Sequence, residues 1–73
     1  MLDEAMIEKD EPLRRAIQAA GTSQKLAEKL EIKPQAVSQW SRVPLRRVFD
    51  VERVTGIPHA ELRPDFFGKV ESA

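Results

Sequence analysis

The stretch SQKLAEKLEIKPQAVSQWSR, residues 23–42, decides the fold because its apolar residues recur at helical spacing on both sides of a short turn. The positions that would face inward are Leu26, Ala27, Leu30, Ile32, Val37 and Trp40. Ala27 would lie where the two helices cross most closely, and a larger side chain there would push the second helix away. The pattern predicts a helix-turn-helix motif.

The outer face of the second predicted helix is polar. At about 100° per residue, the side chains opposite its apolar stripe are Gln35, Ser38, Gln39 and Arg42. Gln can form two hydrogen bonds with adenine, Arg can do so with guanine, and Ser can bond to either base. An amphipathic helix can also carry such residues on a solvated face without a ligand, and for an isolated helix we favour that interpretation. Within the whole motif we favour the reading of a DNA major groove.

Composition limits the classes of protein that the chain can form. Its 73 residues make one small domain of marginal stability, which dimerisation or very efficient helix packing would help. The absence of cysteine excludes a disulfide framework, a thiolate metal site and a zinc finger. No apolar run approaches the roughly 20 residues of a membrane span, and the acidic start lacks the order of a signal peptide. We therefore expect a cytoplasmic protein with no membrane partner.

The formal net charge is zero, but the charges are unevenly distributed. Residues 1–11 carry a net charge of −4, residues 12–56 carry +5, and residues 57–73 carry −1. The bases Lys33, Arg42, Arg46 and Arg47 occupy a stretch that contains no acid. This basic stretch is the part of the chain that should face a phosphate backbone.

Capping residues predict where the first helices begin and end. Asp10 would cap a helix that begins at Glu11, and Gly21 would end it. Thr22 would cap the next helix, residues 23–30. The buried stripe of the first helix would consist of Leu13, Ala16, Ile17 and Ala20.

Prolines and a glycine bound the remaining helices. Pro34 would open the recognition helix, residues 34–41, and the Val-Pro pair at 43–44 would end it. A fourth helix would follow over residues 45–55, with Gly56 as its stop. Its inward residues would be Leu45, Val48, Phe49 and Val51, and its outward residues Arg46, Arg47, Asp50 and Arg53.

The two ends of the chain extend this predicted all-α domain. We expect residues 1–9 to form a mobile acidic extension, residues 10–68 the helix-turn-helix domain, and residues 69–73 a disordered tail. Phe66 and Phe67 leave two interpretations open, because their rings could fold back onto the domain or contact a second copy.

Three sequence features together resemble the Cro-like prophage regulators of the YdaS type. They are AVSQW, then VPLRRV, then the ending VERVTGIPHAELRPD, within residues 13–67. The resemblance implies a compact four- to five-helix, lambda-repressor-like (Cro/CI) helix-turn-helix domain. It also implies a small transcriptional repressor of phage or host genes, sometimes encoded beside a toxin and then called an antitoxin. Such a protein usually acts as a homodimer on paired half-sites of operator DNA.

The resemblance also assigns roles to individual positions. The implied base readers are Gln35, Ser38 and Gln39, with Lys33 and Arg42 at the edges. The implied phosphate contacts are Thr22, Ser23, Gln24, Lys25, Arg46 and Arg47. Two residues depart from the family pattern: Glu31 stands where Gly is usual, and Lys33 stands where a Ser or Thr cap is common. A left-handed Glu31 would cost about 1 kcal/mol, and the missing cap would cost about as much again.

Glu52 falls on the inward arc of the fourth predicted helix, and a buried carboxylate needs a partner. Arg63, in the Leu-Arg-Pro-Asp ending, is the base best placed by sequence to return over that helix. We therefore predict an ion pair between Glu52 and Arg63, with Arg14 or Arg15 as the alternative partner.

Catalysis finds no support in the sequence. His59 is the only histidine, and no Gly-rich phosphate loop or metal-ligand cluster is present. The acids near the N-terminus belong to the segment expected to be mobile, which cannot hold a general acid and a general base in register. Trp40 is more compatible with core packing than with stacking on a ligand. We predict a protein that is not an enzyme, with no catalytic residue, metal or cofactor.

Two functional classes remain. The first is a sequence-specific regulator that binds double-stranded DNA. The second is an antitoxin or protein-interaction module, which would bind a toxin or another protein through its Phe-rich end or its acidic start. The acid-free stretch of residues 33–47 favours the first class, because a module that binds only proteins has no need of it.

Overall fold

The computed structural model describes residues 8–67, and within that range the chain forms five α-helices, one 3-10 turn and no β-strand. The helices are α1 (Glu11–Ala20), α2 (Ser23–Leu30), α3 (Pro34–Ser38), α4 (Val48–Thr55) and α5 (His59–Leu62), and a 3-10 turn (Leu45–Arg47) leads into α4. The predicted all-α class is confirmed.

The predicted caps explain where α1 and α2 begin. The Asp10 carboxylate accepts a hydrogen bond from the main-chain N–H of Leu13 at 3.1 Å. The Thr22 hydroxyl accepts one from the main-chain N–H of Lys25, also at 3.1 Å. Each cap satisfies an N–H that has no partner inside its helix. Between the two helices, Gly21 turns the chain at a φ of 113°, which lies in the range that favours glycine.

The core lies between α2 and the helices packed around it. α2 contacts α1, α3 and α4, while α5 closes the other side against α1 and α4. The buried residues are Leu13, Ala16, Ala20, Leu26, Ala27, Leu30, Val37, Val43, Val48, Val51 and Leu62. They include every inward residue predicted for α2, and Ile32 and Trp40 pack against them while partly exposed.

Two residues predicted to face the core from the fourth helix face solvent instead. Leu45 is 39% exposed and Phe49 is 56% exposed. Val48 and Val51 define the buried arc of α4, and Phe49 lies about 100° from Val48 on the side away from Val51. Leu45 belongs to the 3-10 turn, whose period of about three residues shifts it out of that arc.

The predicted ion pair between Glu52 and Arg63 is wrong. The Glu52 carboxylate is half-exposed, and its Oε1 lies 2.9 Å from Nδ1 of His59. Arg63 donates to the carbonyl of Val43 and to the carboxylate of Asp65. The chain turns at Gly56 so that α5 brings His59 to Glu52, while the Arg63 guanidinium binds Val43 and Asp65 instead.

The alternative partners of Glu52 are also engaged elsewhere. Arg14 donates to the carbonyl of Lys9 at 3.1 Å, and Arg15 pairs with Glu61 at 3.1 Å. Both arginines are on the exposed side of α1.

The described C-terminal residues fold back onto the domain only in part. Phe67 packs against the core, and its ring meets those of Phe49 and His59 edge-on at centroid distances of 5.6 and 4.8 Å. Phe66 remains 57% exposed. Residues 1–7 of the predicted extension and the predicted tail of residues 69–73 lie outside the described residues.

Candidate nucleic-acid interface

α2 and α3 pack against each other, and each contributes fully buried side chains to the core. Ala27 on α2 and Val37 on α3 have no exposed surface. The main-chain N–H of Ile32 donates to the carbonyl of Ala27 at 3.0 Å, which returns the chain toward α2 after the turn. Ala27 is thus buried where the sequence pattern requires a small residue.

The turn between α2 and α3 contains Glu31 and Lys33, the two residues that depart from the family pattern. Glu31 adopts a left-handed conformation, with φ 62° and ψ 39°. Its N–H caps the end of α2 by bonding to the carbonyls of Ala27 and Glu28. Lys33 precedes α3 and makes no side-chain capping bond. Both unfavourable features are present, so α3 begins without the side-chain cap that α1 and α2 have.

α3 is shorter than the predicted helix of residues 34–41, because it ends at Ser38. The N–H of Trp40 bonds to the carbonyl of Val37, three residues back, and this tighter bond ends the regular helix. The chain must then extend toward Val43, whose conformation is restricted by Pro44. As a result, Gln39 and Arg42 lie just after the helix rather than on it.

Most of the predicted base-reading side chains are accessible. Lys33, Gln35, Gln39 and Arg42 are exposed, and Gln35 and Gln39 are four residues apart, so they are neighbours on one face. Ser38 is half-buried, and its hydroxyl donates to the carbonyl of Pro34 at 3.2 Å. Its oxygen can still accept a hydrogen bond, so Ser38 could contact a base only as an acceptor.

The tertiary structure brings an acid to the basic stretch. Asp65 lies 3.5 Å from Arg42 and 2.7 Å from Arg63. The hydrogen bond from Arg63 is the main reason that the pKa of the Asp65 carboxyl falls to about 2, and the same bond raises the pKa of Arg63. Asp65 is therefore ionised at neutral pH, and it offsets part of the charge that Arg42 could offer to DNA.

The remaining bases of the stretch differ in their pairing. Arg47 lies 3.8 Å from Asp50, so an acid on α4 partly neutralises it. Lys33 and Arg46 take part in no ion pair among residues 8–67, and both are exposed. These two residues therefore keep their full charge for an anionic partner.

The phosphate-contacting residues predicted at the start of α2 are also near the surface. Thr22, Gln24 and Lys25 are exposed, and Ser23 is half-buried. The Thr22 oxygen accepts the capping bond, which leaves its hydroxyl proton available to a phosphate. The main-chain N–H groups at this helix end carry partial positive charge.

A groove of about 290 Å³ separates α3 from the 3-10 turn. Its lining consists of Ile32, Lys33, Ala36, Trp40, Pro44, Arg46 and Arg47. Trp40 both packs against the core and lines the groove. The groove has an apolar floor, three cations and no acid in its lining.

One contact with the end of α3 was not predicted from the sequence. The Lys9 ammonium donates to the carbonyls of Val37, Ser38 and Trp40, at the end of the helix. No sequence signal joins Lys9 to residues about 30 positions away. The separation in sequence hides a contact that the fold brings about.

A comparison with protein-family models matches residues 13–71 to the family described as bacterial toxin YdaS. The chain belongs to this YdaS family. The resemblance to YdaS-type proteins is thereby confirmed at the level of the family. Neither the search of curated proteins nor the search of solved structures found a match.

The part of the chain matched to the YdaS family begins at Leu13, so it contains all the predicted DNA-contacting residues. Lys9 and Asp10 precede it. The match also extends past Arg63 and Asp65, so the contact between these residues lies within the family region.

Two other structural features are absent from residues 8–67. No cluster of three or more His, Asp or Glu side chains is arranged to hold a metal ion there. None of the helices in the same range has both the length and the hydropathy required to cross a membrane.

Proposed function

We propose that this YdaS-family protein is a sequence-specific transcription regulator that binds double-stranded DNA and reads its major groove with α3 and the residues after it. The observation that carries the proposal is the exposure of Gln35 and Gln39 on one face beside Lys33, whose charge has no ion-pair partner in residues 8–67. This face combines donors and acceptors for base edges with a free positive charge.

The proposed division of labour follows from the chemistry of the side chains. Gln35 and Gln39 would each form paired hydrogen bonds with a base edge, preferably adenine. Arg46 and the start of α2 would contact phosphates and set the position of α3 in the groove. Arg42 contributes less charge than the sequence indicates, because Asp65 lies 3.5 Å away.

We further propose that the protein is a prophage repressor related to the Cro/CI superfamily. The prophage repressor role and the wider relationship to the Cro/CI superfamily come from the resemblance of the motifs. A regulator of this kind acts by occupying an operator, in the compartment that contains the DNA, and needs neither catalysis nor a cofactor. The sole histidine, His59, is packed between Phe49 and Phe67 beside Glu52, an environment that suits a structural role.

The proposal is tested by selecting binding sites from a random duplex library with the purified full-length chain. Fluorescence anisotropy then compares the enriched duplex with a scrambled duplex of equal composition at two salt concentrations. We expect a common sequence to be enriched and bound more tightly than the scrambled duplex, with affinity falling as salt rises. Failure to enrich any sequence, with equal weak binding to both duplexes, would contradict the proposal.

An exposed aromatic surface favours a second, compatible function in protein binding. The large apolar side chains exposed among residues 8–67 are Leu45, Phe49 and Phe66. Phe67 connects two of them, because its ring lies 5.6 Å from that of Phe49 and 4.9 Å from that of Phe66. A contiguous apolar patch of this kind is typical of a protein interface.

We propose that the occupant of this aromatic patch is a second copy of the chain. Beside Phe49, Asp50 and Arg53 form a stripe of opposite charges on α4, and within one chain they lie 3.2 Å apart. An antiparallel copy of α4 would place Arg53 of one chain near Asp50 of the other, so the stripe is complementary to itself. A symmetric dimer would present two copies of α3 to two half-sites.

Sedimentation equilibrium of the wild-type chain and of a Phe49→Ser, Phe66→Ser double variant tests this dimer. Gln18→Ser, at an exposed position of α1, is the control. We expect the wild-type and control chains to dimerise and the double variant to remain monomeric while keeping its helical content. A wild-type chain that stays monomeric with and without DNA would contradict the dimer, and would favour a toxin or another protein as the occupant of the patch.

A further inference from the structure

The ammonium group of Lys9 lies at the C-terminal end of α3. Its Nζ donates to the carbonyl oxygens of Val37, Ser38 and Trp40 at 3.3, 3.0 and 2.8 Å. These oxygens lie in the last two residues of α3 and just after it, where main-chain carbonyl groups carry partial negative charge. The Val37 carbonyl also accepts from the N–H of Trp40 at 3.1 Å. An ammonium group, which carries three donors, suits this set of acceptors.

Lys9 is itself attached to the rest of the domain. Its carbonyl accepts a hydrogen bond from Arg14 on α1 at 3.1 Å. The neighbouring Asp10 caps α1 with its carboxylate and donates its N–H to the carbonyl of Ser41 at 2.9 Å. Lys9 and Asp10 therefore connect α1 to the end of α3 and to Trp40 and Ser41, which follow it.

The opposite end of α3 lacks a capping side chain. Lys33 provides no side-chain cap, and the turn before it contains the left-handed Glu31. Val37 is fully buried, and Ile32 before the helix and Trp40 after it also pack against the core. These apolar contacts hold the inner side of α3, whereas a polar contact at the end of the helix would fix the main chain on both sides of Gln39.

We propose that Lys9 makes this polar contact, and that it is a positioning residue for DNA reading by α3. The inference rests on the proposed function. Gln39 lies between Ser38 and Trp40, and the carbonyls of both neighbours bind Lys9. The direction of the Gln39 side chain, and with it the pairing to a base edge, therefore depends on the Lys9 contacts. Lys9 itself touches no base in this mechanism.

The test uses the full-length chain and three variants. Lys9→Met keeps most of the apolar stem and removes the donors, whereas Lys9→Arg keeps a cation with donors. Lys29→Met removes the same charge from an exposed position near the end of α2 and is the matched control. The measured quantity is the ratio of affinities for the enriched and the scrambled duplex at one salt concentration.

We expect Lys9→Met to reduce this ratio about tenfold, because hydrogen bonds to a charged group are lost and Gln39 is no longer held in position. Lys29→Met should weaken both duplexes equally, and Lys9→Arg should keep most of the preference. A structural role alone would lower the unfolding temperature of Lys9→Met without changing the ratio. An unchanged ratio would therefore overturn the inference.

A second measurement without DNA separates failure of the inference from failure of the proposed function. Amide hydrogen exchange at Gln39 and Trp40, well below the unfolding temperature, should be faster in Lys9→Met than in the wild type, with no change in the middle of α1. Equal exchange in the two chains would overturn the inference. A wild-type chain that prefers no duplex would contradict the proposed function, and the exchange rates would then decide the role of Lys9.

Discussion

Arg63 donates through Nη1 to the carbonyl oxygen of Val43 at 2.9 Å and so joins the segment after α5 to the segment after α3. Its Nε and Nη2 bind the Asp65 carboxylate at 2.9 and 2.7 Å. Asp65 also lies 3.5 Å from Arg42. The Leu-Arg-Pro-Asp ending thus reaches one of the predicted DNA-contacting residues, a connection that gives this ending both a structural and an electrostatic role.

Replacing Arg63 by alanine should destabilise the fold. The Arg63 side chain is only 11% exposed, and its loss leaves the carbonyl of the buried Val43 without this donor. We expect the free energy of unfolding to fall by about 1.5 to 3 kcal/mol, the usual range for a hydrogen bond to a charged group. Urea denaturation measures the change. Arg53→Ala, which removes an arginine that is 68% exposed, is the control and should have little effect; an equally small effect of Arg63→Ala would contradict the prediction.

The contact between Arg63 and Asp65 should make stability depend on pH in the acid range. The pKa of Asp65 is lowered from 3.8 to about 2 in the folded chain, so the unfolded chain binds a proton first as the pH falls. The stabilisation is therefore present above about pH 4 and is lost as the pH falls toward 2. Urea denaturation at several pH values should show that the free energy of unfolding falls less in Asp65→Asn than in the wild type as the pH is lowered from about 4 toward 2. Parallel pH profiles for the two proteins would refute this.

Gln39→Ala and Arg46→Ala should affect DNA binding in different ways. Loss of Gln39 should cost about 1 to 3 kcal/mol on the enriched duplex and relax the preference at one base pair. Loss of Arg46 should weaken all duplexes about equally and reduce the salt slope by about one. Anisotropy titrations measure both effects, with Arg15→Ala on α1 as a charge control. An equal loss on every duplex from Gln39→Ala would remove Gln39 from the reading surface.

Glu31→Gly should stabilise the chain. Glu31 has a φ of 62°, a conformation that glycine adopts without the steric cost of a side chain. We expect a gain of up to about 1 kcal/mol in the free energy of unfolding. Glu28→Gly, inside α2, should lose about 1 kcal/mol and provides the control for glycine itself. Thermal unfolding measures whether each variant is more or less stable than the wild type. A destabilised Glu31→Gly would contradict the prediction and would mean that the Glu31 side chain stabilises the turn.

Local sequence was sufficient for the ends of the first two helices and for the pattern of the motif. Asp10 and Thr22 cap the helices that they were predicted to cap, and Gly21 ends α1. Ala27 and Val37 are buried as the spacing indicated. These features were predictable because capping and helical periodicity depend on residues within about four positions of one another.

Contacts between distant residues were not predictable in the same way. The sequence favoured Arg63 as the partner of Glu52, but α5 places His59 there. It also indicated that Phe49 would be buried, since an apolar residue in a helix of a small domain usually is. Which arc of α4 faces the core depends on how the whole helix packs against α1 and α2, and no local pattern reports that.

The sequence by itself therefore determined that the chain is all-helical, where α1 and α2 begin, and which polar residues accompany α3. Only the tertiary structure decided which charges remain unpaired on that surface, because Asp65 approaches Arg42 across 23 positions of sequence. It also decided that Lys9 holds the end of α3. Hydrogen bonds and ion pairs act over a few ångströms in space, and only the packing of the helices determines which distant residues come within that distance.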